Sequence, residues 1–251
     1  MTDQASRSAA DRLLAVLAAF GHASPALSLT EISRRAGLTL PTTHRLVGLL
    51  TAWGALERDP DGAYHIGLRL WELGSLAPRG LALREVAMPF LEDLYEATHE
   101  NVQLAVRDGL EVVYIERISG RSAVGVRTEV GARWPLHATG VGLVLLAHSA
   151  PEVQERYLAG KLTAFTPYTV TDPVQLRRIL AEVRRVGLSV SDRQITADAM
   201  SVAAPVRGAR GQVVASVSVV VPVEGAAPSA LAPAVRVAGL GISRGLGRTS
   251  T

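Results

Sequence analysis

The chain has 251 residues and a formal net charge of +3, and 48% of its residues are hydrophobic. This length accommodates two domains of ordinary size, and the hydrophobic content supports a core without disulfide or metal staples. The absence of cysteine excludes disulfides, thiolate catalysis and Cys-ligated metals. No apolar run approaches the roughly 20 residues of a membrane span and we see no signal peptide, so we expect a soluble, cytoplasmic protein without a membrane partner.

Three helices are predicted within the first 50 residues. Residues 9–20 carry apolar side chains at i, i+3, i+4 and i+7, which predicts an amphipathic helix that ends at Gly21. The segment 29–50 divides into two shorter helices at Gly37, because glycine readily adopts the positive φ that ends a helix. Thr39 is a suitable N-cap for the second of these helices. The order of these three predicted helices indicates a helix-turn-helix, formed by the second and third, that packs on the first.

The second helix of this hairpin has two chemically different faces. One face is apolar and is formed by Thr43, Leu46, Val47 and Leu50. The other carries Pro41, Arg45 and Gly48, flanked by Thr42 and His44. A helix that offers a long cation, hydroxyls and an imidazole with little bulk between them can enter a DNA major groove. The alternative is an ordinary helical hairpin with a solvated face, since loose matches to this motif are common.

A short hairpin is predicted directly after this helix. Two extended pieces flank the turn residues 59–63, which include Pro-Asp-Gly. A hairpin in this position is a wing, and Arg58, Tyr64 and His65 either contact phosphates or are solvated hairpin residues. Residues 1–75 contain seven arginines and seven acids, so DNA binding here would depend on a few placed residues and on dimerisation rather than on bulk charge.

A domain boundary is predicted at Pro78-Arg79-Gly80, after a short helix over 68–76. We therefore assign residues 1–77 to a winged helix-turn-helix domain and residues 78–251 to a linker helix plus a second domain. The linker helix follows from a clean amphipathic pattern over 83–98, in which Pro89 predicts a kink or a restart.

The second domain is predicted to be α+β with an antiparallel sheet. Its predicted elements are strands over 102–107 and 110–118, a short extended run over 123–128, a buried helix over 139–148, helices over 152–158 and 173–186, and strands over 202–206 and 212–221. A closing helix over 230–246 contains a proline and three glycines, with Gly247 just beyond it, so we expect it to be short or frayed.

No catalytic set is recognisable. The six histidines form no metal-protease spacing, there is no Gly-x-Ser-x-Gly elbow, and we expect no catalytic residue, metal or cofactor. The segment 131–142 is unusual because two glycines and Thr139 open an apolar helix, whose free N–H groups suit a small anion or carboxylate. His137 could assist such an anion. The alternative is a structural helix start with glycines for close packing.

Taken together, these segments resemble the IclR family of bacterial transcriptional regulators. The residues that carry the resemblance extend from residue 9 to about residue 222, and their combination is specific. They are Leu29-Thr-Glu-Ile, Ala36-Gly-Leu, Thr42-Thr-His-Arg-Leu, Tyr64-His-Ile-Gly-Leu-Arg-Leu-Trp-Glu-Leu-Gly, Pro135-Leu-His-Ala-Thr-Gly, Tyr168-Thr-Val-Thr-Asp and Val202-Ala-Ala-Pro-Val.

The resemblance implies a repressor or activator that binds a short, roughly palindromic double-stranded operator as a homodimer, often as a dimer of dimers. Its second domain would be similar to the GAF/profilin-like sensor fold and would bind a small metabolite, commonly an organic or aromatic acid. The family's effector positions fall on Ala123, Val126, Gly140, Val141, Ser191, Ser201 and Ser218. The candidate DNA-binding residues are Thr39, Thr42, Thr43, His44, Arg45, Arg58, Tyr64 and His65. Arg45 and Thr42 are expected to reach base edges, and Thr43 and His44 to position the helix or contact phosphate.

Several positions depart from the family pattern. Ser191 stands where an acidic residue is usual, Ser201 replaces a cysteine, and Val220 replaces a second serine. The family's lysine after the anion loop is Leu143, and a loop glycine is Asp198, which would disfavour a carboxylate if it faced the pocket. Near the DNA, Thr39-Leu-Pro replaces the usual Pro-x-Ser. Two alternatives therefore stay open: a regulator whose sensor has lost its ligand, and an enzyme with an appended winged helix.

Overall fold

The computed structural model describes residues 7–77, 80–120, 124–125, 128–224 and 226–248. The chain divides into two compact units, an N-terminal unit of Met1–Leu81 and a C-terminal unit of Ala82–Thr251. The two-domain α+β architecture expected from the sequence is confirmed.

The N-terminal unit is a helix-turn-helix followed by a hairpin. Its elements are α1 (Ala9–Leu17), β1 (Ala26–Leu27), α2 (Leu29–Ala36), α3 (Leu40–Trp53), β2 (Leu56–Arg58), β3 (Tyr64–Ile66) and α4 (Leu68–Ser75). The strands form an antiparallel sheet in the order β1-β3-β2. Strand β1 was not predicted, because two residues are too short a run to show a strand pattern.

Local chemistry explains the turn between α2 and α3. Helix α2 begins with a capping box between Ser28 and Glu31, and it ends at Gly37, whose φ is 65°. Thr39 stands at the N-cap of α3 as predicted, but its hydroxyl donates to Thr42 Oγ1 rather than accepting a helix N–H. The predicted N-cap position is therefore correct, whereas the expected capping hydrogen bond is absent.

The C-terminal unit is built on a six-stranded antiparallel sheet in the order β6-β5-β4-β9-β8-β7. Its elements are α5 (Leu81–Thr98), β4 (Asn101–Asp108), β5 (Glu111–Ile118), β6 (Arg133–Pro135), α6 (Gly140–Ala147), α7 (Pro151–Leu158), α8 (Pro173–Val186), β7 (Ser189–Asp192), β8 (Ala199–Arg207), β9 (Val213–Pro222) and α9 (Pro228–Arg248). Strands β6 and β7 were not predicted. The run expected over 123–128 is not a strand at residues 124, 125 and 128, and its other positions lie outside the described residues.

Two hydrophobic cores lie on opposite faces of this sheet. Alternate strand residues such as Leu104 and Val202 pack with α5 and α9 in one core. Their neighbours in sequence, including Ala105 and Ala203, pack with α6, α7 and α8 in the other. All eight residues of α6 are buried, as its apolar sequence predicts.

The structure bears on two expectations about helices. Helix α9 is continuous over 21 residues and is neither short nor frayed. Its glycines permit close packing: a Cβ added to Gly241 would lie 2.5 Å from the Phe90 ring, and one added to Gly245 would lie 2.6 Å from Val86. Tertiary packing therefore outweighs low helix propensity here. Helix α5 is continuous through Pro89, so of the two outcomes predicted there, a kink or a restart, the restart does not occur.

Candidate DNA-binding surface and ligand cavity

Helix α3 separates buried from exposed residues as its sequence predicts. Thr43, Leu46, Val47 and Leu50 are buried. Thr43 has no exposed surface, and its hydroxyl donates to the carbonyl of Thr39 at 3.0 Å. A phosphate contact by Thr43 is therefore contradicted, since its hydroxyl points into the helix turn; a role in positioning α3 is consistent with the structure.

The outer face of α3 presents cationic and small residues. Arg45 and His44 are exposed, and within the described residues neither side chain has a hydrogen bond or ion pair. A Cβ added to Gly48 would meet no atom within 4 Å, so the middle of this face is open. Thr42 is half-buried and accepts the hydroxyl hydrogen of Thr39 at 2.9 Å. This face of α3 is therefore open and carries hydrogen-bonding side chains.

The wing uses two of its three candidate residues for its own structure. Tyr64 is 8% exposed and belongs to the core of the N-terminal unit, so its ring is not available as a phosphate ligand. His65 lies between the carboxylates of Glu57, at 3.4 Å, and Asp59, at 3.2 Å, which oppose an approaching phosphate. Arg58 is exposed and its guanidinium lies 5.5 Å from the centre of the Tyr64 ring. Arg58 is therefore the wing residue best placed to meet DNA.

The C-terminal unit contains a cavity between the sheet and the start of α6. The empty space between its walls, together with solvent at its open mouth, is about 490 Å³. Five candidate effector residues line it: Gly140, Val141, Ser191, Ser201 and Ser218. Ala123 and Val126 lie outside the described residues. The rest of the lining consists of Gln103, Tyr114, Thr128, Ala138, Thr139, Gln194, Ile195, Thr196, Ala199, Met200 and Val220.

The start of α6 supplies hydrogen-bond donors to this cavity. Thr139 is the N-cap, and its hydroxyl accepts from Gly142 N at 3.1 Å. The backbone N–H groups of Gly140 and Val141 have no acceptor among the described residues. Donors at a helix N-terminus carry partial positive charge and favour an anion.

The remainder of the described lining is electrically neutral. It includes no Asp, Glu, Lys, Arg or His, and burial raises the pKa of the Tyr114 phenol, which therefore stays protonated. Ser201 Oγ and Ser218 Oγ have no hydrogen-bond partner among the described residues, whereas Ser191 Oγ donates to the carbonyl of Ala138 at 2.9 Å. A ligand with one negative group and neutral polar substituents matches this set.

The structure bears on three residues near the cavity: one candidate that does not line it, one whose expected effect was conditional, and one that was not predicted. His137 does not line it: its ring nitrogens bond Tyr157 Oη at 2.7 Å and the carbonyl of Thr163 at 3.1 Å. Burial lowers the pKa of His137, with partial opposition from the hydrogen bond to Thr163, so this residue is a neutral structural group. Asp198 is exposed and absent from the lining, which removes the expected conflict with a carboxylate. Gln103 is a cavity residue that we did not predict, although a lone polar residue within an apolar strand was a signal for it.

One wall of the cavity is held by the segment that the sequence singled out at Tyr168. The loop between β7 and β8 contributes Gln194 to the lining. Thr166 Oγ1 donates to the carbonyl of Arg193, and Thr169 Oγ1 to that of Gln194, both at 2.6 Å. The Arg193 guanidinium lies 4.0 Å from the centre of the Tyr168 ring. The Tyr168–Asp172 segment therefore positions the wall rather than touching a ligand.

A winged helix-turn-helix followed in the chain by a separate α+β domain defines a class, the two-domain DNA-binding transcriptional regulators. A family model described as the IclR helix-turn-helix domain matches residues 9–60. A second model, for the C-terminal region of the bacterial transcriptional regulator IclR, matches residues 77–244. The chain belongs to the IclR family of transcriptional regulators.

Curated relatives and solved structures agree with this assignment. The chain is 31% identical to the transcriptional regulator XynR of Escherichia coli, over 94% of this chain and 96% of the relative. It is 33% identical to the regulator KipR of Bacillus subtilis, over 82% of each. A crystal structure of an IclR homologue from Microbacterium hydrocarbonoxydans, complexed with 4-hydroxybenzoate, is 40% identical, with a TM-score of 0.89, over 95% of this chain and 99% of that one. Within the described residues, every helix is too short or too polar to cross a membrane.

Proposed function

We propose that this regulator recognises a short, roughly palindromic operator through the exposed face of α3, and that a small organic acid in the cavity changes its affinity for that operator. The observation that carries the DNA part is the exposure of Arg45 and His44 opposite a fully buried apolar face. An arginine on such a helix can pair with the major-groove edge of a guanine. Arg58 on the wing supplies a phosphate contact that fixes the helix in register.

The neutral charge balance of residues 1–75 supports a dimer as the binding species. One helix with few phosphate contacts gives weak binding. Two copies of α3 spaced about 34 Å apart would read two successive major grooves on one side of the duplex. A homodimer, or a tetramer formed as a dimer of dimers, therefore suits an inverted-repeat site.

The test is DNA binding by the full chain on a duplex selected from a random pool. Arg45→Ala should weaken binding about 10- to 100-fold and relax the preference at one position of each half-site, because a bidentate base contact contributes about 1–3 kcal/mol. The matched control is Arg178→Ala, which removes an exposed arginine from α8 in the other unit. If Arg45→Ala leaves both affinity and sequence preference like those of the control, α3 is not the reading helix.

The ligand proposal rests on the α6 N-terminus. A carboxylate would accept from the N–H groups of Gly140 and Val141, with the hydroxyl of Ser201 beside them, and its apolar body would lie against Ile195 and Val220. A small aromatic acid fits this arrangement, and a homologue that is 40% identical was crystallised with 4-hydroxybenzoate.

Calorimetric titration of the full chain with 4-hydroxybenzoate and with 4-hydroxybenzamide tests the role of the charge. The amide should bind at least about 10-fold more weakly, because it loses a charge-assisted pair of hydrogen bonds. Equal affinity would refute carboxylate binding at α6. We assign no enzymatic activity to the cavity; recovery of a chemically altered acid after incubation with the protein would restore the enzyme alternative.

A further inference from the structure

Two polar side chains face each other across neighbouring strands at the floor of the cavity. Gln103 on β4 pairs directly with Ser218 on β9 in the antiparallel register. Both residues line the cavity, although Gln103 is only 2% exposed and Ser218 only 1%. Directly opposed residues have Cβ atoms about 4.5–5.5 Å apart, so one small ligand group can contact both.

The hydrogen-bonding capacity of this pair is only partly used. Gln103 Nε2 donates to Thr128 Oγ1, which fixes the amide and leaves Oε1 without a donor among the described residues. Ser218 Oγ has no partner there either. If the amide were reversed, Thr128 would donate to Oε1 and the amide N–H₂ would face the cavity instead. In both orientations the pair offers one unpaired amide group and one hydroxyl, which a ligand hydroxyl satisfies because it donates and accepts at once.

The pair lies away from the anion end of the cavity. Gly140 approaches Ser201 on β8 so closely that an added Cβ would lie 2.4 Å from Ser201 Oγ. Strand β9 separates β8 from β4, and adjacent strands are about 4.8 Å apart. The carboxylate donors and the Gln103–Ser218 pair are therefore separated by roughly 5–10 Å, which is the length of a ring substituted at opposite ends.

From this placement we infer that Gln103, together with Ser218, is the specificity-determining site for a hydroxyl group on the ligand, so that the protein responds to hydroxy-substituted carboxylic acids and discriminates against the unsubstituted acids. The inference rests on the proposed function, because it uses the same cavity and the same carboxylate end. The discrimination follows from desolvation: an acid without a hydroxyl would bury the free amide group of Gln103 and the hydroxyl of Ser218 without partners.

The experiment compares 4-hydroxybenzoate with benzoate by calorimetry on the full chain. Wild type should bind 4-hydroxybenzoate about 10- to 100-fold more tightly than benzoate. Gln103→Leu and Ser218→Ala should each lose most of that ratio, by weakening 4-hydroxybenzoate about tenfold while changing benzoate less than about twofold. The control is Ser216→Ala, a buried serine two residues along β9 that bonds the carbonyl of Ala204 and is absent from the cavity lining. It should keep the wild-type ratio.

The possible results separate the two proposals. A wild type that binds both acids equally refutes the hydroxyl site alone. A Gln103→Leu or Ser218→Ala variant that weakens both acids equally also refutes it, since the residue would then be structural. A wild type that binds neither acid refutes the proposed ligand class and the hydroxyl site with it. Ser218→Ala keeps the test decisive if Gln103→Leu fails to fold.

Discussion

Gly140 at the start of α6 and Ser201 on β8 are so close that a Cβ on Gly140 would lie 2.4 Å from Ser201 Oγ. The helix start and the sheet are therefore in contact at the point where the cavity offers its backbone donors. Ser201 Cβ would lie 3.4 Å from the added atom, which is an ordinary packing distance. A Cβ on Gly140 would therefore clash sterically with the Ser201 hydroxyl and not with the rest of that side chain.

Gly140→Ala is expected to destabilise the fold by about 1–2 kcal/mol, because the Ser201 hydroxyl must rotate away from its site. Ser201→Ala should remove the conflict, so the double variant should recover most of the loss as measured by urea unfolding. Gly142→Ala serves as the control, since its added Cβ would lie 2.4 Å from the backbone carbonyl of Leu136 and cannot be relieved by Ser201→Ala. Strictly additive effects of Gly140→Ala and Ser201→Ala would contradict this account.

The glycines of α9 should respond differently to alanine. Gly241→Ala would bring a Cβ within 2.5 Å of the Phe90 ring and should cost about 1–3 kcal/mol. Gly247→Ala meets no atom within 4 Å and should stabilise by a few tenths of a kcal/mol, up to about 1, through helix propensity. Thermal and urea unfolding measure both. Equal shifts for the two variants would show that packing does not explain the continuous helix.

Stability should fall in mildly acidic solution through the buried imidazole of His137. Burial lowers the pKa of His137 in the folded state, so between its ordinary value of about 6.5 and the lower folded value only the unfolded chain binds the proton. The contribution of the neutral His137 to the free energy of unfolding is therefore complete above pH 6.5, and it decreases as the pH falls below that value. His148 acts in the same direction, because burial is also the largest cause of its lowered pKa.

The measurement is the free energy of unfolding in urea from pH 7.5 to 5.5. His137→Gln should be less stable overall but should show a shallower loss with falling pH than wild type, with the remaining slope due in part to His148. Identical slopes for the variant and the wild type would contradict a neutral, buried His137.

Thr43 and Arg45 lie two residues apart on α3 and should have separable roles. Thr43→Val keeps the shape of a side chain that is fully buried and loses one hydrogen bond to Thr39, so stability should drop by about 1 kcal/mol. Operator affinity should stay within about twofold of wild type, in contrast to Arg45→Ala. A large loss of DNA affinity at unchanged stability would instead assign Thr43 to the DNA contact.

The sequence was sufficient where the physical rule is local. The left-handed Gly37, the Asp172 cap followed by Pro173, and the all-apolar α6 were each predictable from chemistry within a few residues. Features that depend on contacts between residues far apart in sequence could not be predicted. Nothing near Gly241 in sequence reveals Phe90, and the two-residue strand β1 has no pattern of its own.

The features of the candidate site also fall into two groups, those that local sequence predicts and those that depend on long-range strand pairing. The outward direction of Arg45 follows from helical spacing, and the helix start at Gly140 follows from its glycines and threonine. The burial of Tyr64 and the two carboxylates around His65 depend on strand pairing within the wing. Gln103 joins the cavity only because β4 pairs with β9, a strand more than 100 residues later.

An acid bound in the cavity should change the affinity of the protein for DNA. The most direct test is the dissociation constant of the full chain for its selected operator, measured with and without saturating 4-hydroxybenzoate. We expect a change of at least about fivefold, with the affinity for the acid changed by the same factor on DNA, because coupling between two binding sites is reciprocal. Operator affinity that stays constant while the acid demonstrably binds would contradict the account.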